Sequence, residues 1–486
     1  MISQLKEKYN NIPIGVKAAL WYTICNLLQK AISIFVIPLY TRLLTPAEYG
    51  TYSVFMSWVE LFEVFVTLKL FMGTYTVGLV KYEEDRDRFT SSLEQLSLLI
   101  TTAFLGLYMI FQNQVNSITG LDLPMTLMLF LMMYAFPIVG FWKTLQKVDN
   151  LYRNMVIAVL SISILTPALG LTSILLISRT AKSAIISRVM AEVIVAVAIF
   201  IIYRKIFTKK PSKNYCKYAL YMAVPLVPFY LSAMLLNHSD RIIIERLVGG
   251  TEAGIYSVAY SAAMIMQLFN TAFESSIQPW LFKTLKAKKY NTIPGKTTAV
   301  VIVVAVLNLM LIAFAPEAIM ILAPPSYHEA IWIVPPLAAS VFVMFYYQRF
   351  INVEFYYNES AMTSVASIIA AAMNIVLNFI FIPKFGYLAA GYTTLVSYMV
   401  FWLTHYIYYR KVCKKNDCPL TVINNKQLLL VSALFAASAG VLMIGYDKWP
   451  IRYGFILMMI IVCIVKRNYI ISTAKDILNG KKQKYN

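Results

Sequence analysis

The sequence predicts an all-α polytopic membrane protein with 14 transmembrane helices, built as two pseudo-repeated six-helix lobes plus two C-terminal helices, both termini cytoplasmic. Three observations carry this: apolar residues gathered in blocks, basic residues concentrated in alternate loops, and a segment that occurs twice. Of the 486 residues, 59% are hydrophobic and 14% charged. Soluble domains carry about a quarter charged residues, and a soluble core this apolar would leave large exposed patches. The hydrophobic residues run in stretches such as Val300–Ala315 and Ile368–Ile382. A soluble enzyme, a disordered chain and a coiled coil are excluded.

A bilayer core requires about 20 mostly apolar residues per helix. On that rule the spans fall at 16–40, 50–80, 90–112, 122–142, 152–177, 184–203, 217–237, 252–279, 297–322, 331–350, 359–382, 386–409, 427–446 and 450–465. The first follows Lys6, Lys8 and Lys17 like a signal peptide, but its apolar run is too long and no small-residue cleavage site follows, so it is expected to be retained.

With the N-terminus inside, the inner segments hold 32 Lys and Arg against 9 in the outer loops, and Lys30 and Lys69 fall within spans. Cationic loops stay cytoplasmic, so both termini are expected there. The net charge of +20 is then explained by orientation and anionic-lipid contact, and not by nucleic acid.

The segment Arg42-Leu-Leu-Thr-Pro-Ala-Glu-Tyr-Gly-Thr-Tyr-Ser-Val54 aligns without gaps with Arg246-Leu-Val-Gly-Gly-Thr-Glu-Ala-Gly-Ile-Tyr-Ser-Val258, with seven of thirteen positions identical at an offset of 204 residues. The offset carries span 1 onto span 7. Six intervening spans keep the copies parallel, as in transporters whose substrate site lies between two lobes. The lobes are expected at residues 1–205 and 206–412, with residues 413–486 forming two extra spans and a basic tail. The same shift places Glu63 and Thr67 on Gln267 and Thr271.

The stretches Ile37-Pro-Leu-Tyr-Thr-Arg-Leu-Leu-Thr-Pro-Ala-Glu-Tyr-Gly, His238-Ser-Asp-Arg-Ile-Ile-Ile-Glu-Arg-Leu-Val-Gly followed by Ala253-Gly-Ile-Tyr-Ser-Val-Ala-Tyr, Tyr327-His-Glu-Ala before Pro335-Pro336, and Asn374-Ile-Val-Leu-Asn through Gly391-Tyr-Thr-Thr stand in this order along the chain. Together they resemble the polysaccharide flippases of the multidrug/oligosaccharidyl-lipid/polysaccharide exporter superfamily. The resemblance spans about residues 15–410 and rests on motif order and spacing. It implies alternating access in a bacterial cytoplasmic membrane. The implied cargo is an undecaprenyl-pyrophosphate-linked oligosaccharide moved to the outer leaflet, with the polymerase and glycosyltransferases of the same pathway as implied partners.

A charge at a helix centre costs about 2.5–3.5 kcal/mol on insertion scales, so each needs a reason. Lys30 and Glu60 fall at similar depth on spans 1 and 2, which fits either a buried pair or a cavity cation that meets pyrophosphate. Glu63 lies one turn from Glu60. Lys69 lies about 180° from Glu60 on a straight helix, with Gly73 nearby to permit a bend. Gln267, Asn270 and Glu274 form one polar stripe on span 8. Lys30, Lys69, Gln267 and Asn270 are the substrate-binding candidates, and Glu60, Glu63 and Glu274 the candidates for coupling to H⁺ or Na⁺. At the outer rim, Arg42, Asp240 and Arg241 are candidates for a gate of ion pairs. Arg188 with Glu192 and Asn374 with Asn378 are four-residue pairs read as structural. Pro225 and Pro228 are expected to kink span 7.

No catalytic constellation appears. There is no P-loop, the three histidines at 238, 328 and 405 lack metal-ligand spacing, and Cys413 and Cys418 have no second ligand pair. No cofactor and no metal are expected. Within the same fold, an ion-coupled multidrug exporter or a peptidoglycan-precursor flippase is the alternative. A membrane-embedded glycan polymerase would need a large outer loop, and the longest here reach about fifteen residues.

Overall fold

The computed structural model describes residues 13–359, 361–465, 467–468 and 471–472. Helices overlie every expected span. In chain order they are α1 (Ile14–Leu43), α2 (Pro46–Thr67), α3 (Gly73–Lys81), α4 (Arg86–Ile110), α5 (Gln112–Thr119), α6 (Leu123–Val148), α7 (Tyr152–Leu176), α8 (Ala181–Phe207), α9 (Lys213–Ala223), α10 (Val227–Leu247), α11 (Gly250–Lys286), α12 (Ile293–Ala313), α13 (Ala315–Leu322), α14 (Val334–Tyr356), α15 (Ala361–Phe385), α16 (Ala389–Lys415), α17 (Asn425–Ile444) and α18 (Trp449–Val465). Among the described residues, nine helical segments are long and apolar enough to cross a bilayer, or ten if the pair bent by 49° at Ile333 is one span. Large apolar side chains such as Phe35, Ile157, Leu176 and Ile202 lie exposed on the helices, as a lipid-facing surface requires. The chain is a multi-pass membrane protein.

Cα packing divides it into two units, Met1–Met234 and Leu235–Asn486. In unit 1, α7 packs on α8 and on α1, and α6 on α8. Phe55, Leu129, Met132 and Ile185 join α2, α6 and α8 in one core, and Tyr75, Phe89, Phe141 and Trp142 bring α3 and α4 onto α6 in another. In unit 2, α16 packs on both α14 and α15, and α14 on α11 and α12.

The 204-residue offset is visible in the helix ends. α1 ends at Leu43 and α2 begins at Pro46; α10 ends at Leu247 and α11 begins at Gly250. Thr45 caps α2 by accepting a bond from the Glu48 N–H. Its equivalent, Gly249, takes φ 153°, where a side chain would be strained. Back-bonds repeat too: the Thr67 hydroxyl donates to the Glu63 carbonyl at 2.7 Å, and the Thr271 hydroxyl to that of Gln267 at 2.8 Å.

The copies then diverge. The sequence suggested a continuous second span to residue 80, but α2 stops at Thr67, with Leu68 and Lys69 at φ 50° and 48°. The bend precedes Gly73, which begins α3. Phe71 fills the break by lying against Gly140, where a Cβ would sit 2.5 Å from the Phe71 ring, and the Thr144 hydroxyl donates to the Phe71 carbonyl. The corresponding α11 continues for 37 residues. Pro225 and Pro228 do interrupt span 7: a 3-10 turn over Val224–Leu226 separates α9 from α10.

Candidate functional site

In unit 1 the break carries the charge. Because the backbone reverses hand at Leu68, Lys69 no longer extends along the α2 wheel, and its Nζ reaches Glu63 Oε2 at 2.5 Å. Both side chains are buried. The expected Lys30–Glu60 pair is corrected: Lys30 is exposed on α1 and Glu60 half-buried on α2, and among the described residues the ion pair of α2 is Glu63–Lys69. Glu60 and Glu192 lie within electrostatic reach of Glu63. Arg188 pairs with Glu192 at 2.7 Å on α8.

In unit 2 the polar stripe of α11 faces α14. The Asn270 amide donates to the Val341 carbonyl at 3.0 Å and to Gln267 Oε1 at 3.3 Å. Glu274 pairs with Arg349 and accepts from the Asn352 amide at 3.0 Å. Arg349 is 1% exposed, with its guanidinium 4.3 Å from the Phe345 ring centroid. Arg349 is thus buried where α11 and α14 meet.

The outer-rim candidates separate. Arg42 donates to the Pro38 carbonyl at 3.0 Å. Among the described residues Asp240 and Arg241 form no ion pair, because successive side chains on a helix diverge by about 100°. Arg241 turns to Asn237, His238 and the Tyr260 ring. Asp240 is 1% exposed. It accepts from the Asn378 amide at 2.6 Å, from the Thr394 hydroxyl at 2.7 Å and from the Tyr256 hydroxyl. Asn374 completes the cluster, accepting from the Ser239 hydroxyl at 3.0 Å and donating to Thr394 at 3.2 Å. Four helices, α10, α11, α15 and α16, thus surround one carboxylate with amides and hydroxyls, and among the described residues no basic side chain pairs with it. A buried carboxylate so placed suits a proton or a hard cation that prefers oxygen ligands. The Asn374–Asn378 spacing was the available signal, but nothing in the sequence tied it to Asp240.

A second buried cluster escaped the sequence reading. Glu354 on α14 and His405 on α16 are both fully buried, with His405 Nδ1 at 2.9 and 3.1 Å from the two carboxylate oxygens. Tyr347 stacks on the His405 ring, and the carboxylate partner comes from another helix.

At one end of unit 1, a cavity of about 540 Å³ is lined by Ile14, Lys17, Asn150, Leu151, Tyr152, Arg153 and Asn154. Lys17 and Arg153 make it basic. Among the described residues no cluster of three or more His, Cys, Asp or Glu could hold a metal.

Apolar helices that bury pairs of charges define a multi-pass membrane protein. Solved structures agree in fold. A lipid II flippase MurJ in an inward closed conformation superposes with a TM-score of 0.66 at 15% identity, over 93% of this chain and 100% of that one. An inward-facing multidrug resistance MATE transporter of the MOP superfamily gives 0.65 at 12% identity, over 82% and 99%. The model of the polysaccharide biosynthesis protein family matches residues 16–285, and the chain belongs to that family. The uncharacterized membrane protein MJ1068 of Methanocaldococcus jannaschii is 22% identical, over 86% of this chain and 87% of its own length. The Lsg locus putative protein 1 of Haemophilus influenzae is 27% identical, over 22% and 28%. The two solved structures are of a flippase and a transporter by their descriptions.

Proposed function

We propose that this protein is a flippase that moves undecaprenyl-pyrophosphate-linked oligosaccharide units from the cytoplasmic to the outer leaflet by alternating access, for cell-surface polysaccharide synthesis. The observation that carries this reading is the polysaccharide biosynthesis family match over residues 16–285 in a chain whose fold is also that of a lipid II flippase. The proposal includes 14 spans with both termini in the cytoplasm of a bacterial inner membrane, and lobes at 1–205 and 206–412. Residues 413–486 append two helices. On this orientation the basic cavity at Lys17 and Arg153 faces the cytoplasm, where it attracts anionic pyrophosphate headgroups.

Lys30, exposed on α1, and the polar groups Lys69, Gln267 and Asn270 remain the proposed contacts to substrate. Glu63 and Glu274 are held by Lys69 and Arg349, so a coupling ion at either carboxylate has to displace a cation. Asp240 has no such competitor among the described residues, which favours it over Glu63 and Glu274 for coupling to H⁺ or Na⁺, and its full burial sets it apart from the half-buried Glu60. The gate role of Arg42, Asp240 and Arg241 therefore narrows to the arginines.

The test is depletion of the protein in its native host, followed by extraction and leaflet assignment of undecaprenyl-linked glycans. Accumulation of a completed oligosaccharide on the cytoplasmic leaflet supports the proposal and identifies the cargo. Unchanged lipid-linked intermediates reject it and redirect attention to multidrug export on the same fold.

A further inference from the structure

Glu354 and His405 form a buried acid–base pair whose arrangement is incomplete. The Nδ1 side of the imidazole is satisfied by both carboxylate oxygens. On the other side, Nε2 is buried and has no hydrogen-bond partner among the described residues. Tyr347 lies face-on to the ring, with centroids 6.0 Å apart, and Phe401 edge-on at 4.7 Å. Ionisable side chains within membrane helices are costly and point to function by default.

We propose that this pair is a proton-binding site whose loading shifts the conformation of the transporter, deepening the flippase reading on which its role in transport rests. The balance is one proton. With Nδ1–H donating to an ionised Glu354, Nε2 carries a free lone pair and the site holds one uncompensated negative charge. Uptake of a proton at Nε2 gives an imidazolium–carboxylate pair of zero net charge. It also creates an N–H at a buried position with no acceptor, and an unmet buried donor is destabilising. The conformation seen here thus suits the unloaded pair, and the loaded pair favours one that brings water or an oxygen to Nε2. A ligand shifts an equilibrium only through such differential affinity.

The groups around the pair leave this balance intact. On α14, Arg349 is committed to Glu274 of α11. Glu359, beyond the end of α14, is paired with Lys415 of α16 and accepts from Tyr408. Tyr409 donates to the Leu420 carbonyl at 3.1 Å, and the free thiols of Cys413 and Cys418 are hydrogen-bonded to each other. The other helices packed on α14 and α16, namely α12, α15 and α17, bring only Lys296, Lys384 and Lys426 as charged residues. The 3-10 segment Pro325–Trp332 adds His328 and Glu329, and Glu329 accepts from Tyr387.

The chain has three histidines, His238, His328 and His405, so nitrogen-15 histidine labelling of the full protein in lipid nanodiscs reads the site directly. His405→Gln assigns its signals. The expected result is an Nδ1–H tautomer at high pH that gains one proton at Nε2 on acidification. In Glu354→Gln, which keeps the shape but removes the charge, proton affinity falls at least tenfold. A His405 that stays neutral from pH 5 to 9, or an unchanged midpoint in Glu354→Gln, overturns the site.

Flipping of lipid-linked oligosaccharide in proteoliposomes then tests the conformational role. The expected result is a pH-dependent rate in the wild type whose midpoint shifts or whose amplitude falls in His405→Gln, with any remaining dependence belonging to other groups such as Asp240. A pH profile in that variant identical to wild type overturns the role while leaving proton binding intact. Absence of flipping at every pH in the wild type rejects the flippase reading, and the nuclear resonance result still decides the proton site.

Discussion

Lys69 reaches back across the break after α2 to place its Nζ 2.5 Å from Glu63 Oε2, six residues earlier. A continuous helix would have put the two about 240° apart. The pair is therefore a product of the left-handed backbone at Leu68 and Lys69, and it closes the break with a buried charge contact.

Removing one member strands the other. Lys69→Met is expected to destabilise by about 3–5 kcal/mol, the cost of an uncompensated buried charge. Lys69→Met with Glu63→Gln recovers most of that loss, since it leaves no charge behind. Thermal unfolding in detergent, followed by circular dichroism, checks both. Equal losses in the single and double variants would show that the break depends on the Lys69 stem and not on the pair.

Asp240 gives a separate expectation. Its carboxylate is surrounded by donors but no cation, so Asp240→Asn should fold at least as well as the wild type while losing response to coupling ions. Unfolding temperatures in sodium chloride and in choline chloride, at two pH values, test this. A cation or proton effect present in the wild type and absent in Asp240→Asn is expected; an equal effect in both removes Asp240 from the ion site.

One close approach fixes the position of α1 against α7 in unit 1. A Cβ on Gly170 would fall 1.9 Å from the Tyr40 hydroxyl oxygen. Gly170→Ala is expected to push α1 from α7 and cost about 1–3 kcal/mol, as overpacking does. Gly106, with nothing near its Cβ position, is the control: Gly106→Ala should be neutral or stabilising in the same melts.

At the start of α6, Lys182 donates to Asp122 at 2.7 Å, and this bond, aided by the Met125 N–H, lowers the Asp122 carboxyl below its ordinary value. The stability it contributes is present above the unfolded-state value and is lost as pH falls through the lowered folded one. Lys182→Gln should therefore cost less than about 1 kcal/mol at neutral pH, the range for exposed pairs. The difference from wild type should vanish in acid, read by pH-dependent thermal unfolding.

The helices and the 204-residue register were legible because composition and local motifs encode them. Pro46 and Thr45 announce the start of α2, and the Pro225–Pro228 pair announced the turn before α10. The break at Leu68 carried no such mark: neither residue favours a left-handed backbone, and packing of Phe71 against Gly140 imposes it. The pairing of charges was least legible. Glu354 meets His405 across 51 residues and Asp240 meets Asn378 across 138, contacts set by which helix faces another. Helical-wheel arithmetic on one span places a side chain on a face but does not name the helix opposite.

The length of α11 has a mechanical consequence. Its 37 residues make a rod of about 55 Å at 1.5 Å per residue, against a hydrocarbon slab of about 30 Å. Even steeply tilted, a rod of that length is longer than such a slab is thick, and its last turns carry the cations Lys283 and Lys286. Its shorter counterpart α2 is jointed after Thr67, whereas α11 runs on and is weakened only at Pro279, where a backbone donor is missing; a push on α2 is absorbed at its joint, while one on the lysine-bearing end of α11 is first felt at that proline.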